Sequence, residues 1–321
     1  MLRLLVSRLA LAVPVLILVS VVAFFLLRLA PGDPVQLQAG PDAAPEVVQA
    51  IRRELALDQP MPVQYLAWAA RALRGDLGVS YSSKQPVTTL IGERLPVTAQ
   101  IGAVALLLSI AVGVPLGIVS ALHRDRLVDQ AARVVSLFGI SVPNFVIGML
   151  MVLLFGWSIP GILPYEGFVP FSQDPLASLG HSLLPAVALA LAQVGIISRM
   201  TRSSMLDVIG QEYIAAGRAF GVAESELIWR DALRNALVPV LTVLGLITGF
   251  LLGGAVVIEN VFGIAGLGRL LVESFAQRDH PVTIGVMLFV AVVFVVVNLV
   301  VDILYGVVNP RIRAGYTAGR G

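Results

Sequence analysis

The chain alternates long apolar runs with short polar joints, and the runs set its architecture. Six runs stand out: Leu9–Leu27, Val97–Leu122, Val134–Trp157, Ser182–Ile197, Pro239–Ile258 and Val282–Val308. A helix rises about 1.5 Å per residue, so roughly 20 apolar residues cross a bilayer core. The fourth run is the shortest of the six. The first follows Arg3 and Arg8 and exceeds the apolar stretch of a cleaved signal peptide; "RLAPGDP" places prolines where cleavage would fall. It reads as a retained membrane helix. The expectation is an all-α polytopic membrane protein with six transmembrane helices and both ends on one side.

The polar joints differ in size. The segment 31–96 separates the first two runs and carries its own helical periods. In "APEVVQAIRRELALD", Val47, Val48, Ile51 and Leu55 share one helical face; in "VQYLAWAARAL", Tyr65, Ala69 and Leu73 do, with Trp68 beside them. "RGDLGVSYSSKQP" then breaks into a turn-rich stretch. A small helical extracytoplasmic subdomain is expected between helices 1 and 2. The organisation read from the pattern is thus a first helix over 1–30, the subdomain over 31–96, a five-helix core over 97–308 and a cytoplasmic tail over 309–321.

Charge supplies the orientation. Thirteen basic residues lie at the two ends or in the joints 123–133 and 198–238, including Arg124, Arg126, Arg133, Arg199, Arg202 and Arg218. The joint 158–181 has none, and 259–281 has only Arg269 and Arg278. Positive residues in short loops mark the cytoplasmic side, so both termini and the 198–238 joint are expected there.

Composition agrees. The 321 residues are 57% hydrophobic and only 13% charged, with a net charge of +2 and a mean hydropathy of +0.90; this is a membrane composition. No basic run of nucleic-acid-binding type appears, and no partner of that kind is expected. Cysteine is absent. The only lysine, Lys84, stands in "YSSKQP", outside any glycine-rich phosphate loop. His123, His181 and His280 form no metal-ligand spacing, and "GHS" at Gly180–Ser182 is no nucleophile elbow. Neither catalytic nor metal-binding residues are expected, which disfavours an intramembrane hydrolase.

The stretch 211–240, "QEYIAAGRAFGVAESELIWRDALRNALVPV", interrupts the oil with charge. Arg199, Arg202, Asp207, Glu212, Arg218, Glu224, Glu226, Arg230, Asp231 and Arg234 lie within 199–238; at about 2.5–3.5 kcal/mol each, they cannot sit mid-bilayer. Tyr213, Ala216 and Phe220 form a stripe at helical spacing, and Gly221 suits the left-handed residue that ends a helix. A second helix starts near Glu224, where Glu226 and Arg230 pair at i, i+4. Small residues at Ala215, Ala216, Gly217 and Ala219 permit a close approach. Two readings fit: a docking element for a soluble partner, or a loop folded on its own chain.

"EYIAAGRAFG", continued by Ile228 and the "LVP" at Leu237–Pro239, resembles the EAA loop of ABC importer permeases. The match falls on Glu212, Ala215, Ala216, Gly221, Ile228 and Pro239, with Val238 before the proline where leucine is usual. "RLAPGDP", "LDQPMPVQYLAW", "GDLGVSY", "GLGRLLVESFAQRDHPV" and "NPRIR" are similar to the dipeptide/oligopeptide/nickel branch of that family. The resemblance implies a type I importer fold and a cell (inner) membrane location in a bacterium or archaeon. It implies that those six residues couple the chain to two separate ABC ATPase subunits carrying ATP and Mg, so that this chain holds no cofactor. It further implies a homologous second permease and an extracytoplasmic solute-binding protein docking on 31–96 and 259–281. Peptides are the implied cargo; nickel chelates, glutathione or another small solute are alternatives.

Inside the runs, Gly245, Gly249 and Gly253 make a small-residue helix-packing groove, against either another helix of this chain or the second permease. Asn144, Gln193 and Thr248, with Gln100 and Asn298, are candidates for a polar translocation path; each alone is equally an interhelical hydrogen bond. Asn144 follows Pro143, where the third run is expected to bend. A self-contained secondary transporter or channel needs mid-membrane carboxylates or inverted broken helices, and the sequence displays neither.

Overall fold

In the computed structural model, the described residues are 2–29, 35, 39–40, 43–54 and 57–308. Leu55, most of "RLAPGDP", "NPRIR" and the tail 309–321 lie outside them. Among the described residues there is no strand, only an isolated antiparallel bridge between Val79 and Pro86. Among the described residues five helices are long and apolar enough to cross a membrane, or six if one bent pair is a single span. The chain divides into two compact units: Ala99–Ile264 with Val296 onward, and Val6–Thr98 with Ala265–Val295.

The second unit begins within α1 (Leu2–Leu29), at Val6. Two helices of the segment read as a subdomain follow, α2 (Pro45–Glu54) and α3 (Met61–Ala72). Phe24 and Leu27 of α1 pack with Trp68 of α3 and with Ile284. The Phe24 and Tyr65 rings meet edge-on at 5.4 Å, and the Ser20 hydroxyl lies 2.9 Å from the Tyr65 hydroxyl. Leu73, expected on the same face, is the C-cap of α3 and 91% exposed. It lies past the last helical residue, so the period no longer aims it inward.

Helix α4 spans Val87–Leu122 and starts at Val87 rather than Val97. Thr88, Glu93 and Arg94 lower the local hydropathy without breaking the helix. Val87 and Ile91 of this first part join a cluster with Leu267, Val282 and Val286, while Arg94 donates to the Ala265 carbonyl at 3.2 Å.

In the first unit the third run is not a straight rod. Helix α5 (Leu127–Ser141) ends at Val142, which is extended, and α6 (Asn144–Leu153) restarts after Pro143. The two are bent by 95°. Proline lacks an N–H and drives the residue before it out of the helical region, so the helix stops and changes direction instead of merely kinking. A π-helical turn, Leu154–Ser158, completes the pair.

The fourth span corrects the sequence reading most. Helix α7 runs Pro175–Ile209, capped by Asp174 accepting from the Leu176 and Ala177 amides. It is more than twice the length of Ser182–Ile197, and 61% of its most apolar window is buried. Its neighbours approach through small residues. A Cβ on Gly117 of α4 would lie 2.6 Å from the Ser198 carbonyl oxygen, and one on Gly139 of α5 2.5 Å from that of Leu191. A helix wrapped by protein needs Ala, Gly and Ser on its surface rather than lipid-facing Leu and Val, so its hydropathy is low. The charged end 199–209, read as part of the joint, is its last three turns.

After Gly210 come α8 (Glu212–Ala219), a turn at Phe220–Gly221, and one α-turn at Glu224–Glu226. That turn passes through a π-helical stretch, Leu227–Ala232, into α9 (Leu233–Val261). The second helix of the hairpin is therefore no separate short piece but the start of the fifth span. Two further helices, α10 (Leu267–Ala276) and α11 (His280–Val308), finish the described chain.

Candidate functional site

Helix α8 carries the residues of the EAA pattern, and the structure divides its two faces. Ile214 is 1% exposed and packs with Leu227, Ile118 and Ala121 of α4, Met205 of α7, and Ala232 and Ala236. Gly217 sits against Leu227, whose Cδ2 would be 2.6 Å from a Cβ there. The stripe read from the sequence points the other way: Tyr213 is 47% and Phe220 88% exposed. Glu212, Ala215 and Ala216 are exposed too. The period was right for a helix, but small Gly217, not Ala216, faces inward, because only it leaves room for Leu227.

Gly221 ends the helix with φ +80°. Its amide bonds Arg218 O at 3.0 Å, and the Val222 amide bonds Gly217 O at 3.0 Å. This pair of bonds is the left-handed C-terminal cap in which glycine avoids the Cβ penalty. Space is not the reason, since nothing lies within 4 Å of a Cβ at that position. Arg218 clamps the turn from outside with a two-pronged bond to Glu224 at 2.9 and 2.7 Å. Arg230 pairs with Glu226 at 2.5 Å, as the spacing predicts. Ile228 is partly buried against the same cluster as Ile214, and exposed Pro239 lies inside α9. Tyr213 accepts a 3.1 Å bond from Asn235.

Above this hairpin lies a polar knot that the sequence reading missed. Asp129, fully buried, accepts two bonds of 2.7 Å from Arg202, one of 2.6 Å from Ser120 and one of 2.9 Å from the Asp125 amide. Arg133 approaches to 3.6 Å. The knot ties α4, α5 and α7 together. Its one local sign was an i, i+4 Asp129–Arg133 spacing; pairing with Arg202 is tertiary.

The polar residues proposed for a path do not converge, and no hydrogen bond joins Asn144, Gln193 and Thr248. Asn144 reaches the place a Cβ on Gly254 would take, at 2.8 Å. Gln193 is 8% exposed with its Oε1 unpartnered. Thr248 bonds back to Leu244 O of its own helix at 2.9 Å. Gln100 is an interhelical clamp, donating to the Ser178 and Ser182 hydroxyls at 2.8 Å. Of the glycine groove, Gly245 meets Val301 of α11, 2.7 Å from a built Cβ, while Gly253 has nothing within 4 Å; Gly249 is partly buried. The groove at Gly245 is thus packing within this chain.

In the other unit the turn-rich stretch and the "QRDHPV" stretch form a second knot. Asp279, 2% exposed, accepts from the Ser80 and Ser82 hydroxyls at 2.5 and 3.0 Å, and from the Tyr81 and Ser82 amides at 3.1 and 3.2 Å. Arg278, at φ +55°, turns the chain so that Asp279 points into that loop.

The comparisons with known proteins cover nearly the whole chain. Residues 113–314 match the family described as binding-protein-dependent transport system inner membrane component, and residues 1–102 match its N-terminal companion. A Brucella abortus protein named as a peptide transport system permease is 46% identical over 98% of this chain and 99% of its own length. An Escherichia coli glutathione transport system permease is 39% identical over 98% and 99%. Among solved structures, a chain of the MetNI methionine ABC transporter in an inward-facing conformation aligns with a TM-score of 0.56 at 16% identity. It covers 68% of this chain and 96% of that one, a likeness of fold. With its all-helical bundle and its family match, the chain belongs to the binding-protein-dependent transport system inner membrane components, the permeases of ABC importers.

Proposed function

We propose that this permease imports peptides and that the hairpin 211–240 couples it to two separate ATPase subunits. The observation that carries the reading is the division of α8. Its inner face, Ile214 and Gly217, is anchored in a cluster containing residues of α4, α7 and the start of the fifth span. Its outer face presents Tyr213, Ala215, Ala216 and Phe220 to solvent, with Val222 and Trp229 exposed nearby at 38% and 58%. Exposed aromatic surface beside a rigid turn marks a protein contact. A partner that moves α8 moves three spans at once, because all three share its cluster. Glu212 stands in the first turn of the docking helix, and Gly221, just past its end, turns the chain.

On this reading the hairpin and both termini are cytoplasmic, as the distribution of arginines supports. ATP and Mg reside on the partner subunits. A homologous second permease completes the path, and an extracytoplasmic solute-binding protein delivers cargo to the opposite side. Peptide cargo is supported by the relatives named for peptide transport. The relative named for glutathione, itself a tripeptide, supports a short peptide as the upper alternative.

The chain lacks cysteine, so Ala216→Cys gives it a single thiol. That thiol should label only from the cytoplasmic side, and labelling should be blocked when the ATPase subunits are bound. Ala216→Arg should release those subunits and abolish ATP-driven uptake while the permease keeps its melting temperature. Labelling from outside, or full uptake by Ala216→Arg, would reject the coupling role.

A further inference from the structure

A cavity of about 390 Å³ lies within the second unit, and Arg28, Trp68, Arg71, Tyr81, His280 and Pro281 line it. Three of these carry buried polar atoms with no partner: Arg28 Nε, Trp68 Nε1 and His280 Nδ1. Trp68 and His280 are only 7% and 6% exposed. Buried polar atoms are nearly always bonded, and each exception needs an explanation. An unmet buried polar group costs about 1–3 kcal/mol, and here the three residues that carry one line a single cavity.

Two of the three can only donate, and His280 Nδ1 donates in one of the two neutral tautomers. Indole and guanidinium nitrogens only donate. Arg28 is already held in place, bonded to Gln64 and stacked 4.9 Å over the Phe24 ring, while its buried Nε has no partner. Burial raises the pKa of the Tyr81 hydroxyl, with Arg28 pulling the other way, so the phenol keeps its proton and can donate. His280 is the first residue of α11, which turns its positive end toward the same space. The one acid on the wall, Asp76, is exposed to solvent and accepts from the Gly78 amide at 2.8 Å. Asp279 nearby keeps its charge, but its oxygens are engaged by four donors of the loop Ser80–Ser82.

From this we infer that the cavity is a binding site for an oxyanion, a carboxylate or a phosphate, received by Arg28, Trp68, His280 and Arg71. The volume is at the small end of ligand pockets, so the anion is a short organic acid or a single headgroup and not a peptide chain. The source is either a dissolved anion or an anionic lipid reaching in beside α1. The site is separate from α8 and stands or falls without the coupling hairpin.

The test uses the full chain in phosphatidylcholine nanodiscs, titrated with inorganic phosphate and with glutarate while its melting temperature is followed. In parallel, native mass spectrometry asks whether phosphatidylglycerol stays bound after delipidation. Trp68→Phe keeps the ring that packs on Phe24 and Tyr65 but removes the N–H, and should weaken binding about tenfold. Arg71→Gln, on the exposed side of α3, should weaken it about threefold without affecting the fold. Saturable stabilisation by phosphate or glutarate, reduced in both variants, identifies a dissolved oxyanion. Retention of phosphatidylglycerol by wild type and its loss from both variants identifies a headgroup. If none of the three probes binds wild type better than the variants, the inference is wrong.

Discussion

Among the described residues two aspartates are buried, Asp129 and Asp279, and they are satisfied by opposite means. Asp129 is met by charge: Arg202 grips it with two bonds, and Arg133 stands behind. Asp279 is met by four neutral donors from a single loop, Ser80 to Ser82. An ion pair joins elements that hold their charges on separate helices, here α5 and α7. A cage of hydroxyls and amides instead fixes the shape of one loop around one carboxylate. The first arrangement is costly to break because a charge is left behind. The second loses bonds one at a time.

That contrast orders the expected effects. Asp129→Ala should be the most damaging, by about 3 kcal/mol or more, since Arg202 is only one-fifth exposed and would lose its counter-charge. Thermal unfolding of the purified permease measures this. The double variant Asp129→Ala with Arg202→Met should recover most of the loss, because apolar replacements of buried pairs are often neutral. Failure to recover would mean that the knot acts through shape rather than charge. Asp279→Asn should cost about 1–2 kcal/mol and appear as faster hydrogen exchange in the loop 80–85, with the rest of the chain unchanged. An Asp279→Asn variant as unstable as Asp129→Ala would erase the distinction. Ser82→Ala removes one hydroxyl bond and should cost about 1 kcal/mol. Arg218→Gln sits at the bottom of the scale: its pair with Glu224 is solvent-exposed, so the melting temperature should not move.

How much of this was legible follows the range of the forces involved. Helix α8, its end at Gly221 and the Glu226–Arg230 pair were readable, because capping and i, i+4 pairing act within a few residues. The stop at Pro143 was readable as a bend, though not its size. The length of α7 was not, since a helix surrounded by protein carries Ala, Gly and Ser and hides from a hydropathy window. Which face of α8 turns inward was also hidden. It depends on Leu227 filling the space at Gly217, and the periodic stripe Tyr213–Ala216–Phe220 gave no sign of that neighbour. Both buried aspartates escaped for the same reason: their main partners come from another part of the sequence.

The loop at Ser80 also bears on the order of biosynthesis. Ser80 and Asp279 are 199 residues apart, so the hydroxyls wait for their acceptor until almost all the spans have been made. Closing that contact is one of the last events available to the growing chain. A ribosome that stalls before the final span leaves behind a protein whose early loop has never been fastened.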